Sequence, residues 1–142
     1  MPALTEKHLK PRSPRAVPGR TEPPPPVWHG RPADLAGALR AKIRGEVRFD
    51  DGARALYATD ASNYRMPPIG VVVPLDRNDI ITAVKICREH GSPILSRGGG
   101  TSLAGQCCNT AVVLDLSKYY HRILALDPAR RLATVEPGIV LD

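Results

Sequence analysis

The sequence predicts an α+β domain made of a β-α-β unit and a mixed sheet, and three observations carry that prediction. An apolar, β-branched run at residues 69–73 is followed by an amphipathic stretch and then by a second short apolar run at residues 92–95. Strand, helix and strand in that order predict a parallel pair joined by a right-handed crossover. Beyond residue 121 the chain breaks into two short alternating segments around Asp127-Pro128, the mark of a hairpin. Between these two regions lies a glycine-rich stretch, residues 97–106, reading Arg-Gly-Gly-Gly-Thr-Ser-Leu-Ala-Gly-Gln.

Composition bounds the answer before any motif does. A chain of 142 residues with 42% hydrophobic content holds one modest domain. The net charge is +6, but residues 1–31 carry six Lys/Arg against two Asp/Glu, so most of the excess sits on that segment. Those basic residues are spaced out, and aromatics make up only 4% of the chain, which argues against a nucleic-acid surface. Cys87, Cys107 and Cys108 lack metal-ligand spacing and read as thiols in a reducing compartment. There is no run of 18 apolar residues and no apolar core in the first thirty, so neither a membrane span nor a secretory leader is expected, and the expected address is cytoplasmic.

The elements follow in order. Residues 1–31 hold Pro2, Pro11, Pro14, Pro18 and four prolines at 23–26, with no hydrophobic period; this segment is expected to be a disordered basic tail with local polyproline II. The domain is expected over residues 32–142. Pro32 suits a first helical turn, with Leu35, Leu39 and Ile43 on one face and Gly45 closing the helix. Residues 47–49 predict a short strand. The polar and aromatic stretch at residues 57–64 ends at Met66-Pro67-Pro68. The 69–73 run has the pattern of a strand covered on both faces, stopped by Pro74. Asp76 and Asp79 supply an N-cap and a first-turn carboxylate for a helix whose inner face is predicted at Ile80, Val84 and Cys87, widened by Ile81 and Ala83. Gly91 ends it, and Pro93 opens the next strand. After the glycine stretch, residues 111–116 predict a strand, 117–121 a turn, and 122–126 with 131–136 the hairpin.

Gly98, Gly99, Gly100 and Gly105 make the central stretch the candidate site. A glycine held in one conformation costs about 0.5–1 kcal/mol relative to alanine, so such a cluster points to positive φ or to a ligand pressed against bare N–H groups. Thr101 and Ser102 add hydroxyls, and Arg97 adds a charge that either balances an anion or pins the loop. Together they describe a phosphate cradle. It is not a Walker loop, since Gln106 and not lysine follows Gly105, and the dinucleotide fingerprint fails because Leu103 stands where its third glycine belongs.

These motifs, in this order, resemble the FAD-linked oxidase family, which shares the vanillyl-alcohol oxidase or PCMH-type FAD-binding domain. The form SRGGGTSLAGQCCN…VVLDLSKY, with Val135-Glu136-Pro137-Gly138 after it, is most similar to the N-terminal part of FAD plus iron–sulfur dehydrogenases of the glycolate oxidase and D-lactate dehydrogenase type. The resemblance covers residues 32–142. It implies the first lobe of a PCMH-type FAD-binding domain, truncated at its C-terminal side, binding FAD through Arg97, Gly98, Gly99, Gly100, Thr101, Ser102, Gly105 and Gln106. Glu136, Pro137 and Gly138 are implied as a second wall, with Glu136 alternatively a strand-end carboxylate facing water. An aromatic such as Tyr64 often lies near the cofactor in that family; otherwise it is a surface tyrosine.

Some relatives attach FAD covalently through a histidine where this chain has Thr101, so the implied FAD is non-covalent. His90 and His121 read as surface residues. The implied reaction is oxidation of the CH–OH group of a 2-hydroxy acid such as D-lactate, glycolate or D-2-hydroxyglutarate, by hydride transfer to FAD. The catalytic base, the substrate-binding groups and any iron–sulfur cluster are expected in a missing C-terminal part, with an electron-acceptor subunit as a further partner. The chain alone is expected to be inactive. The competing reading is a non-catalytic phosphate- or nucleotide-binding or protein-interaction module, docking through its basic proline-rich tail.

Overall fold

The computed structural model describes residues 28–140. The expectation for the proline-rich tail therefore falls almost entirely outside the described residues. Trp28 already packs against the core, its indole Nε1 donating to the His90 carbonyl at 2.9 Å.

Helix α1, Pro32–Arg40, starts with proline in its first turn and buries Leu35 and Leu39, while Ile43 just beyond it completes the same stripe. Strand β1 is Glu46–Arg48. A short helix, α2 (Asp51–Leu56), follows with Asp50 as its N-cap, accepting from the Ala53 N–H at 2.8 Å. Sequence periodicity misses it for a physical reason: six residues with only Ala53 buried carry no hydrophobic repeat. Strand β2, Gly70–Val73, is buried along its whole length. Helix α3, Arg77–Glu89, is capped by Asp76, whose carboxylate accepts from the N–H groups of Asn78 and Asp79. Strands β3 (Ile94–Arg97) and β4 (Val112–Asp115) complete the main sheet, and β5 (Ile123–Asp127) pairs with β6 (Leu132–Val135) as a separate antiparallel hairpin.

The main sheet runs β1-β2-β4-β3, with β1 antiparallel to β2 and the other three strands parallel. The sheet is therefore mixed, as expected, but β2 and β3 are not neighbours. β4 lies between them. Val112, Val113 and Leu114 are buried on both faces of the sheet, whereas β3 carries Ser96 and Arg97 and takes the outer position. The crossover through α3 thus spans one strand place, which a purely local hydrophobic pattern does not specify.

Two apolar clusters flank the sheet. On one face Val72, Val112 and Leu114 meet Leu35, Leu39 and Ile43 together with Ala83, Ile86 and Cys87 of α3. On the other, Val71, Val73 and Val113 meet Tyr57, Leu95 and Tyr119. The inner face of α3 is consequently Ala83, Ile86 and Cys87 with Ile80 beside them, and the predicted Val84 and Ile81 are exposed. Asp79 also does more than face the first helical turn. It is buried, and its carboxylate accepts from the N–H groups of Arg44 (2.9 Å), Gly45 (2.8 Å) and Leu75 (2.9 Å), tying the turn after α1 to the start of α3. Burial alone would raise its pKa, but these donors hold it below the usual carboxylate range.

Candidate functional site

β3 and β4 run parallel with Arg97 opposite Asp115, so their C-terminal ends emerge side by side. In open α/β sheets this edge is where ligands bind. Here the chain leaving β3 forms the glycine loop, the chain leaving β4 forms the turn that contains Ser117 and His121, and the chain leaving β6 returns as Pro137, Gly138, Ile139 and Val140. These three segments, with Cys107, enclose a cleft of about 1080 Å³. That is slightly above the roughly 300–1,000 Å³ typical of ligand clefts.

Residues 98–102 give the cleft its chemistry. Among the described residues, none of their five backbone N–H groups donates to a protein acceptor. The glycines divide by cause. Gly100 and Gly105 have φ of +70° and +79°, where a side chain is strained. Gly98 and Gly99 do not, and a Cβ at either would meet nothing closer than 3.9 Å and 3.7 Å, respectively. Protein sterics therefore do not require glycine there, whereas the approach of a ligand to the amides would. Among the described lining residues none is acidic. A row of unpaired N–H groups with space above them, hydroxyls beside them and no carboxylate facing them suits a diphosphate ester.

The loop is held from behind. The Arg97 guanidinium donates through Nη1 to the carbonyls of Thr59 (2.8 Å) and Cys107 (3.3 Å) and lies 5.2 Å from the Tyr57 ring centroid. Of its two sequence roles, the structure gives it the second: it pins the loop and does not line the cleft. The Ala61 N–H donates to the Gly100 carbonyl at 3.0 Å, and Asp60 accepts from the Cys107 N–H at 3.2 Å. Residues 57–61 are thus the prop beneath the loop. Tyr57 also donates its hydroxyl to Asp115, and burial followed by that hydrogen bond pushes its pKa up to about 12. Asp115 in turn accepts from the Ser117 N–H (2.8 Å) and hydroxyl (2.6 Å), joining the loop's prop to the second wall.

Of the sequence-predicted residues, Gly98, Gly99, Gly100, Thr101, Ser102, Pro137 and Gly138 come together around the cleft. Arg97, Gly105, Gln106 and Glu136 stand outside its lining. Gly105 lies against Tyr64, whose ring would be 2.8 Å from a Cβ there. Tyr64 itself is exposed and does not line the cleft. Gln106 folds back, its Oε1 accepting from the Ser102 hydroxyl and the Ala104 N–H.

Glu136 faces neither cleft nor water. It is buried against Arg122, accepting from that residue's N–H at 2.9 Å and from its guanidinium at 2.6 Å, and the Arg122 side chain holds its carboxyl below the usual range. That pair closes the base of the hairpin, from which Gly138 reaches the Tyr120 carbonyl at 2.6 Å. Sequence reading missed Cys107, Ser117, His121, Ile139 and Val140 as lining residues. The available signal for Ser117 and His121 was their place directly after a parallel strand, on the same edge as the glycine loop.

A family model described as "FAD binding domain" matches residues 68–142. Glycolate oxidase subunit GlcD of Bacillus subtilis is 38% identical over 104 residues, covering 70% of this chain and 22% of that protein. D-2-hydroxyglutarate dehydrogenase of Pseudomonas putida is 32% identical over 114 residues, covering 78% of this chain and 11% of that protein. The chain thus spans about a fifth or less of the length of these relatives. The structure of p-cresol methylhydroxylase with substrate bound superposes with a TM-score of 0.60 at 24% identity, over 75% of this chain and 22% of that one, a likeness of fold.

Proposed function

The chain belongs to the FAD binding domain family, and from that premise we propose that its cleft holds the diphosphate of a non-covalently bound FAD as one lobe of a flavin-dependent oxidoreductase. The carrying observation is the pairing of unpartnered N–H groups at residues 98–102 with open space above Gly98 and Gly99. In this reading those amides bind the diphosphate, Thr101 adds a hydroxyl donor, and Pro137 with Gly138 forms the opposite wall. Arg97 holds the loop in place, and Gln106 fixes the Ser102 hydroxyl. Thr101 offers no nucleophile for a histidyl linkage, which supports non-covalent attachment.

The proposed substrate class is a 2-hydroxy acid. Glycolate and D-2-hydroxyglutarate, in the names of the two relatives, both carry a hydroxyl beside a carboxylate. Bound FAD would supply the hydride acceptor, and this chain's part is to bind and orient it. The groups that bind the acid and take its proton, and any iron–sulfur cluster, belong in this reading to a further part of a longer protein, with residues 32–142 as the first lobe and residues 1–31 as a tail.

The test is flavin retention. The chain is incubated with FAD, desalted and its absorbance recorded, beside a Gly99→Val variant. Retained flavin bands that disappear in the variant, with an unchanged circular-dichroism spectrum, are the expected result. Equal retention by both proteins would overturn the loop assignment.

A further inference from the structure

The cations near the cleft are almost all engaged elsewhere. Arg97 is directed at backbone carbonyls and the Tyr57 ring, Arg122 is paired with Glu136, and Lys118 is paired with Glu46. Among the described lining residues, His121 is the one whose side chain can carry a positive charge. Its ring is also oriented. Nδ1 lies 3.2 Å from the Ser117 carbonyl, an acceptor only, so Nδ1 carries the hydrogen in that contact. Among the described residues Nε2 has no protein partner. Ser117 is in turn fixed by two hydrogen bonds to the buried carboxylate of Asp115. A chain of contacts from Tyr57 through Asp115 and Ser117 thus sets the position of a histidine that borders the same cleft as the amide cradle.

We propose that His121 is a further cofactor-binding residue, whose Nε2–H, once the imidazole is protonated, donates to the FAD diphosphate across the cleft from residues 98–102. This rests on the FAD reading above. Its consequence is a pH-dependent affinity. Protonation of the ring adds a donor and a positive charge facing the diphosphate, which stays anionic, so binding tightens as pH falls. The other groups around His121 do not produce the same slope. Glu136 and Arg122 remain an ion pair, with Glu136 held low by Arg122. Burial pushes the neighbouring Tyr120 hydroxyl up, away from neutral pH. Lys118, raised first by its hydrogen bond to Glu46, stays charged. Cys107 lies across the cleft and is left intact in every variant below, so any contribution it makes is common to all.

The experiment titrates the 142-residue chain with FAD at pH 8, 7, 6 and 5.5, following flavin fluorescence, for wild type, His121→Gln and His121→Arg. His121 is exposed, so both variants are expected to keep the fold, checked by circular dichroism. Wild type should bind about tenfold more tightly at pH 5.5 than at pH 8, the scale of one charge-assisted hydrogen bond. His121→Gln should be flat at the weak level and His121→Arg flat at the tight level. A His121→Gln variant that keeps the wild-type slope would overturn the role of His121 while leaving the FAD site standing. Wild type that binds no FAD at any pH would remove the FAD reading and this inference together.

Discussion

Gly98 and Gly99 offer a test in which stability and binding should move in opposite directions. Neither has positive φ, and a Cβ at either meets only ordinary contacts at 3.7 Å or beyond. Alanine is therefore accommodated by the protein, and it reduces the freedom of the unfolded chain, a gain of about 0.4–1 kcal/mol. For a domain of this size that raises Tm by about 1–5 °C. In the proposed reading, the same methyl group takes up space beside the amides that the ligand would need. Loss of a single charge-assisted N–H bond to phosphate costs about 1.5–3 kcal/mol, or about 10- to 150-fold in Kd. Thermal melts without FAD and flavin titrations of Gly98→Ala and Gly99→Ala measure the two quantities on the same preparations.

Gly138→Ala is the contrast. There a Cβ would lie 2.1 Å from the Leu116 carbonyl oxygen and 2.6 Å from that of Tyr120, backbone atoms that cannot swing aside. Overpacking together with loss of the Gly138–Tyr120 hydrogen bond costs about 2–4 kcal/mol. The reasoning fails if Gly98→Ala and Gly99→Ala destabilise the protein as Gly138→Ala does, or if they leave FAD affinity unchanged.

Two further outcomes follow from the groups that hold the walls in place. Glu46 is brought down to about 2, first by the hydrogen bond from Lys118 and then by those from Arg48 and Tyr119. Because its folded pKa lies below its ordinary value, its contribution is complete above about pH 4.5 and is lost as pH falls toward about 2. Acid unfolding followed by circular dichroism should therefore begin at higher pH in wild type than its neutral-pH stability alone would give, and Glu46→Gln should flatten that part of the profile. Cys87 is fully buried, and burial pushes its thiol up to about 11, whereas Cys107 is partly open to the cleft. An alkylating reagent at neutral pH should label Cys107 well before Cys87, and added FAD should slow the labelling of Cys107; mass mapping showing equal rates, or no protection, would contradict the placement of the cleft.

The parts of this fold legible in the sequence are those settled by residues close together in the chain. Leu35, Leu39 and Ile43 declare the inner stripe of α1, Asp76 declares a cap, and the 69–73 run declares a strand buried on both faces. The order of strands is different in kind. Apolar runs at β2, β3 and β4 establish that each is a strand, but which one sits in the middle depends on how much of each must be covered once all three are assembled. The same limit applies within α3, where Val84 and Ile86 are equally apolar and only the position of the sheet decides that Ile86 is inside. At the site, the glycine loop was legible because its residues are contiguous. Its other walls arrive from β4 and β6, and nothing local to His121 or Ile139 marks them as cleft residues.

The charged residues show why a residue can stand beside a motif in sequence and still be engaged away from the cleft in the fold. Arg97 and Glu136 stand beside the loop and the second wall in sequence, and a charge beside a phosphate cradle invites a direct role. Each instead meets a partner that is fixed by the fold: carbonyls of residues 59 and 107 for Arg97, the Arg122 backbone and guanidinium for Glu136. Glu136 is buried, and a buried charge without such partners is strongly disfavoured, so folding assigns it to structure before any ligand arrives. In the proposed reading, anion recognition is left to backbone amides, which cannot be read as charges in a sequence and lose no side-chain freedom on binding. On that reading the cleft is lined by glycine and not by arginine or lysine, and the strength of the site is expected to depend on the props at residues 57–61 and at Asp115 as much as on the loop they support.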